Sequence, residues 1–237
     1  GIIENKQQRN SMKSIELYGD GIGRVELVDH MGSDLTIVNS ARVSFGKHKE
    51  ELDTRDEKLI SYLVKHRHTS TFEHNVITLR FVVPLYVRSQ HHRHRTWSYN
   101  EISRRYTDTN MRFYEPTTFR TQHASNRQAS NEGAAINPPL RYSHRCDALV
   151  ASHHKASLNL YNMMTEAGIC REQARGVLPQ NLYTEYYGTV NLNNLLKFIS
   201  LRTHEGAQWE IQKMAEACLS IAEDLWPVAV KAYRKDA

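Results

Sequence analysis

Between Arg93 and Tyr106 the chain reads R-H-R-T-W-S-Y-N-E-I-S-R-R-Y. The stretch is too polar for a core helix and too irregular in charge for a coiled coil. From Arg88 to Tyr106, five arginines (Arg88, Arg93, Arg95, Arg104, Arg105) accompany one acid, Glu101. Nineteen residues therefore carry +4, against +5 for the whole chain. Ser98, Asn100 and Ser103 add hydrogen-bonding groups beside that charge. The planar donor fork of arginine suits phosphate better than the point charge of lysine. On charge alone two readings stay open: a pocket for a small, multiply charged anion, or a basic surface turn.

Working upstream, Ile77, Leu79, Phe81 and Val83 alternate with Val76, Thr78, Arg80 and Val82, which predicts a strand ended by Pro84. Tyr86–His94 then reads as a helix that delivers Gln90 and Arg93 to the basic stretch. Thr54–His66 predicts a helix with Thr54 and Glu57 at capping-box spacing and Leu59, Ile60, Leu63 and Val64 on one face. Val25–His30 reads as a strand, Asp34–Phe45 as a helix capped by Asp34, and Lys47–Asp53 as a charged loop. Residues 1–14 are polar and aperiodic. They are expected to be an N-terminal extension, either left by cloning or lying ahead of a start at Met12, with one domain over 15–237.

Downstream, Thr117–Pro139 is rich in Ser, Asn, Gln and Gly and is expected to be a flexible loop or lid. Leu140–Ala167 reads as a long helix ended by Gly168, Arg171–Val177 as a short helix stopped at Pro179, and Tyr183–Val190 as a strand. In Asn191–Thr203, Leu195, Phe198, Ile199 and Arg202 share one helical stripe. An arginine on such a stripe must snorkel, pair or face a ligand. Ala207–Trp226 predicts a helix with Ile211, Ala215, Cys218, Ala222 and Leu225 inward and Pro227 as its stop.

Composition bounds the class. The 237 residues suffice for one sizeable core, and 40% hydrophobic and 24% charged residues describe a soluble protein. The pI near 9.1 and mean hydropathy of −0.62 favour an anionic partner. Clustering of the arginines in one short motif points to a small molecule rather than nucleic acid. Three cysteines (Cys146, Cys170, Cys218), odd in number and without C-x-x-C spacing, argue for a reducing, cytoplasmic setting. No apolar run approaches the ~20 residues that span a membrane. Of the 13 histidines, His91, His92, His123, His153 and His154 are read as surface residues, and no spacing for a metal site appears. G-D-G-I-G at Gly19–Gly23 lacks the third glycine of a dinucleotide fingerprint.

R-H-R followed by S-x-N-E-x-S-x-R-Y resembles the signature of the flavin-dependent thymidylate synthases. It is matched by Arg93, His94, Arg95, Ser98, Asn100, Glu101, Ser103, Arg105 and Tyr106, and the similarity extends from about Gly23 to Trp226. The resemblance implies an α+β single domain, a central sheet flanked by helices, assembled as a homotetramer with active sites shared between subunits. It implies reductive methylation of dUMP to dTMP. FAD would carry the hydride, 5,10-methylenetetrahydrofolate would donate the carbon and NADPH would supply electrons, with no cysteine nucleophile and no metal.

For dUMP it implicates Gln90, Arg93, Glu101, Ile102, Ser103, Arg104, Arg105, Arg175 and Arg202. For FAD it implicates His68, Ser70, Glu73, Arg93, His94, Arg95, Asn100, Glu101, Asn191, Asn193 and Lys197. Arg202, in L-R-T-H-E-G-A-Q-W-E-I, matches the arginine that helps ionise the pyrimidine, and Arg175, in E-Q-A-R-G-V-L-P-Q-N-L-Y-T, matches a second nucleotide arginine. Lys197 and Gly206 depart from the family pattern near the flavin. The alternatives are a catalytically silent flavoprotein or nucleotide binder and a nucleic-acid module using Trp97, Tyr99 and Tyr106.

Overall fold

A computed structural model describes residues 13–107, 110–128 and 130–236. Its centre is the alternating segment found in the sequence, strand β3 (Val76–Pro84). In an antiparallel sheet of order β1-β2-β3-β9-β4, β3 lies between β2 (Arg24–Met31) and β9 (Tyr183–Asn191). The edges are β1 (Ser14–Glu16) and β4 (Ser98–Glu101). Ser14, the last residue of the expected extension, thus pairs in the sheet; residues 1–12 of that extension lie outside the described residues. Gly19 and Gly21 adopt left-handed φ of 74° and 71° in the connection from β1 to β2, the backbone need that the G-D-G-I-G stretch serves.

Alternation along β3 separates two faces. Ile77, Leu79, Phe81 and Val83 enter the main core with helices α6 (Leu192–Arg202), α7 (Trp209–Leu225) and α8 (Pro227–Asp236). On the other face Arg80 pairs with Glu26 at 3.2 Å and Glu185 at 2.5 Å, and the Thr78 and Thr189 hydroxyls meet at 2.8 Å. Val82 packs there with Tyr114 and Tyr183.

The caps of two helices lie one residue before the expected ones. Helix α1 (Asp34–Arg42) is capped by Ser33, and Val43–Phe45 continue as a 3₁₀ turn closed by Gly46 at φ 63°. Asp34 is instead buried and accepts from the Val228 and Ala229 amides, each at 3.0 Å. Pro227 stops α7 as expected and also opens α8, whose first amides are satisfied from α1. Helix α2 (Thr54–Lys65) is capped by Asp53 with Asp56 as its reciprocal partner, one residue before the expected Thr54–Glu57 pair. Burial alone would raise the Asp56 carboxyl, but Lys49, the Asp53 amide and Arg42 hold it at about 2.

The expected loop over 117–139 contains a hairpin of β5 (Phe119–Gln122) and β6 (Ser130–Ile136). A second small hairpin, β7 (Pro139–Arg141) with β8 (His144–Arg145), takes the first turns assigned to the long helix, so α4 spans Cys146–Glu166. Neither hairpin shows sustained apolar alternation, because neither covers the main core. Gly168 closes α4 with φ 89°, as expected. The short helix α5 (Arg171–Ala174) runs into a 3₁₀ turn, Arg175–Val177.

Candidate active site

Helix α3 (Leu85–His91) follows β3 directly, shorter than the expected Tyr86–His94, and leaves the R-H-R residues in the turn leading to β4. That turn is fastened from below. The Tyr99 hydroxyl lies 2.9 Å from the His91 carbonyl and 2.8 Å from the His94 carbonyl, bridging both. Trp97 rests on the sheet over Gly188, where an added Cβ would stand 3.0 Å from both the Trp97 and Phe81 rings. A side chain there would press on both rings, so glycine suits this approach.

His91 is buried, contrary to its surface assignment. Helix α3 turns it among Phe81, Trp97 and Phe198, with Nδ1 2.6 Å from the Tyr186 hydroxyl. Burial first, then His92, His94 and Arg202, push its pKa well down and keep it neutral. His154 is likewise buried, stacked on Phe113 and 3.2 Å from Glu115, because α4 packs that face inward. His92 is half-buried and stacked on Tyr99.

Arg202 ends α6 on the stripe that carries Leu195, Phe198 and Ile199. Its Nε donates to His94 Nε2 at 3.0 Å and its Nη2 to the Gln90 carbonyl at 3.0 Å. No carboxylate pairs with it among the described residues. His94 can accept because burial, and then Arg202, push its pKa down to about 4. Burial, and then Arg93, lower the Arg202 pKa itself, the direction expected of a cation short of counter-charge. Gln90 and His94, at the end of α3 and in the turn after it, are thus brought together with Arg202 from the end of α6.

On edge strand β4, Glu101 Oε2 takes a hydrogen bond from the Thr184 hydroxyl at 2.6 Å and pairs with Arg88 at 3.3 Å. The Ile102 amide donates to the Glu185 carbonyl, and Ser103 Oγ accepts from the Arg105 amide at 3.2 Å. Arg104 Nη2 reaches the Tyr183 carbonyl at 3.5 Å. Arg105 lies 3.9 Å from Glu172, which sits one helical turn before Arg175, so the two expected phosphate arginines share a neighbourhood. Arg93, Arg95, Asn100 and Arg175 are exposed, and the three arginines have no ion pair among the described residues.

A cleft of about 340 Å³ opens along the outer side of α6. Leu63, Phe72 and Leu196 form its apolar part, and His68, Asn193 and Lys197 its polar rim. Ser70 and Glu73 are exposed just beyond His68. Asn191 caps α6 by accepting from the Asn194 amide at 2.9 Å, which commits its Oδ1 and leaves Nδ2 for any ligand. Gly206 lies outside this cleft, against His204.

The family model described as "Thymidylate synthase complementing protein" matches residues 26–228. Proteins named flavin-dependent thymidylate synthase are similar at this length. That of Thermus thermophilus is 43% identical over 213 residues, covering 90% of this chain and 76% of its own. That of Thermotoga neapolitana is 40% identical over 213 residues, covering 90% of this chain and 91% of its own. The chain belongs to the flavin-dependent thymidylate synthase family. A solved UMP/dUMP methylase, PolB from Streptomyces cacaoi bound with 5-Br dUMP, superposes with a TM-score of 0.76 at 33% identity, covering 93% of this chain and 97% of that one.

In this family member the implicated residues occupy three stations: the α6 cleft, the Gln90–His94–Arg202 cluster, and the β4 edge with Arg105 and Arg175. Two further polar residues at the second station, Gln208 and Glu210, were missed by sequence reading. Gln208 Oε1 accepts from Gln90 Nε2 at 2.7 Å. The only local signal is a polar pair, Gln208 and Glu210, flanking Trp209 at the start of an otherwise apolar-striped helix.

Proposed function

We propose that the chain methylates dUMP to dTMP, taking the one-carbon unit from 5,10-methylenetetrahydrofolate and electrons from NADPH through bound FAD. The observation that carries this reading is Arg202, a partly buried guanidinium held by a neutral histidine and a backbone carbonyl and left without a carboxylate partner among the described residues. Such a cation is preorganised for negative charge developing on a ligand, help worth several kcal/mol where water is excluded. Here the ligand charge is that of a pyrimidine ionising at N3. Arg105 and Arg175 hold the phosphate, and Gln90, Arg93, Glu101, Ile102, Ser103 and Arg104 position the nucleotide.

The α6 cleft fits part of a flavin nucleotide: an apolar surface for a flat ring and Lys197 and His68 for a phosphate. When bound, the flavin supplies hydride transfer. At about 340 Å³ the cleft is at the small end for ligand sites, so one chain holds only part of FAD. Arg93, Arg95, His94 and Asn100 belong to the other stations. Their separation from the cleft supports a homotetramer whose sites each draw on more than one chain.

An enzyme thiolate has no role in this reading. Cys218 is buried, with its thiol pKa raised by burial, and exposed Cys170 has Gln173 at 3.9 Å rather than a base. The test reconstitutes purified protein with FAD and follows tritium release from 5-tritiated dUMP and UMP with methylenetetrahydrofolate and NADPH. Release from dUMP is expected. A protein that takes up no flavin, or takes it up and releases no tritium, would refute the assignment.

A further inference from the structure

We propose that Arg120, Glu210 and Gln208 form a positioning relay that fixes which end of the Gln90 amide faces the nucleotide. The inference deepens the reading above and rests on Gln90 contacting that nucleotide.

Glu210 lies in the first turn of α7 and is only 4% exposed. A carboxylate so placed needs compensation. Arg120, from the β5–β6 hairpin, supplies it: Nη2 lies 2.9 Å from both carboxylate oxygens, while the guanidinium stacks over Trp209 at 5.2 Å. The Tyr114 hydroxyl is 3.5 Å from the same carboxylate. The remaining close partner is Gln208 Nε2, which donates to Oε2 at 3.0 Å.

An ionised carboxylate only accepts hydrogen bonds, so it dictates the orientation of the amide facing it. Gln208 must present its NH₂ to Glu210 and therefore its Oε1 to Gln90. Gln90 must then present its own NH₂, at 2.7 Å, and retain Oε1 as its acceptor. That oxygen is buried and has no hydrogen-bond partner among the described residues. Gln208 is the N-cap residue of α7 but spends no side-chain bond on capping, which leaves its side chain to this link. The backbone carbonyl of Gln90 is itself an acceptor for Arg202. The relay thus runs from a hairpin outside the main sheet to the residue that carries both an unmatched acceptor and the anchor of Arg202. Its consequence is selectivity: Gln90 Oε1 recognises a hydrogen-bond donor on the nucleotide and disfavours an acceptor there.

Kinetics and thermal unfolding of four variants test this. Arg120→Leu alone should lower the unfolding midpoint by leaving Glu210 unpaired, and Arg120→Leu/Glu210→Gln should restore the midpoint. The double variant should still show a KM for dUMP raised about three- to tenfold with kcat within about twofold, because an amide at position 210 can donate or accept and no longer fixes Gln208. A double variant with wild-type KM overturns the relay. If it does not fold, Gln208→Met keeps the Arg120–Glu210 pair, cuts the link, and should raise KM equally; a wild-type KM there is equally fatal. Gln90→Ala separates the premises. A raised KM in Gln90→Ala beside a normal double variant rejects the relay alone, whereas an unchanged KM rejects the nucleotide contact and the relay with it.

Discussion

Arg202 ends a helix whose inward stripe would ordinarily exclude charge, and its partners decide what its loss would cost. Arg202→Ala removes hydrogen bonds to His94 and the Gln90 carbonyl but orphans no carboxylate among the described residues. The expected destabilisation is about 1–2 kcal/mol, the scale of lost hydrogen bonds, rather than the about 3–5 kcal/mol of a broken buried ion pair. Turnover of dUMP should nevertheless fall about 10²–10³-fold, and lysine should rescue poorly because it lacks the planar fork. Thermal unfolding paired with tritium release checks both. A stable Arg202→Ala protein with near-normal turnover would remove Arg202 from the chemistry.

His94 gives a matching pH prediction. Its folded pKa is depressed to about 4, against an ordinary value of about 6.5. Between those values the unfolded chain binds a proton that the folded chain refuses, so this contribution to stability is complete above about pH 6.5 and is lost as pH falls towards 4. His92, pushed to about 4 by burial and then Arg88, acts in the same window. Histidine ring resonances followed by NMR should show His94 neutral through pH 5; a titration midpoint near 6.5 would contradict the Arg202 hydrogen bond.

Among the elements, α8 depends on a neighbour for its start. Its first amides at Val228 and Ala229 donate to Asp34, the first residue of α1, so one carboxylate joins two helices far apart in sequence. Asp34→Ala should cost about 1–2 kcal/mol, as for other lost caps. Amide exchange should speed selectively at Val228 and Ala229, whereas uniform acceleration over the whole chain would show global destabilisation instead of a lost cap. The β5–β6 hairpin depends on tertiary contact in the same way: Arg120 bonds across it to Ser130 at 2.8 Å and inward to Glu210.

At the scale of the molecule, the cleft along α6 is lined by none of Gln90, His94, Arg202, Arg105 and Arg175. Arg175 is exposed on its 3₁₀ turn, and Lys197 lines the α6 cleft. If assembly builds each site from several chains, Arg175→Ala and Lys197→Ala variants, each inactive alone, should regain a measurable share of turnover when dissociated together and reassembled, since some mixed sites then carry both intact residues. No recovery from a mixture shown to have exchanged subunits would place both residues in one chain's site.

Local periodicity and spacing made much of this protein legible. The alternation over Val76–Pro84, the α6 stripe ending in Arg202 and the R-H-R to Arg105–Tyr106 signature depend on residues two to four positions apart or on one short motif, and such patterns survive in a linear reading. The sequence thereby determined the central strand, helices α6 and α7 behind it, and the family. What it could not determine depends on partners distant along the chain. The burial of His91 against Phe198, the capping of α8 by Asp34 and the link from Gln90 to Gln208, 118 residues away, exist only once separate elements pack. A polar side chain carries no mark of its eventual partner, because its hydrogen bonds are equally available to water until folding removes the water.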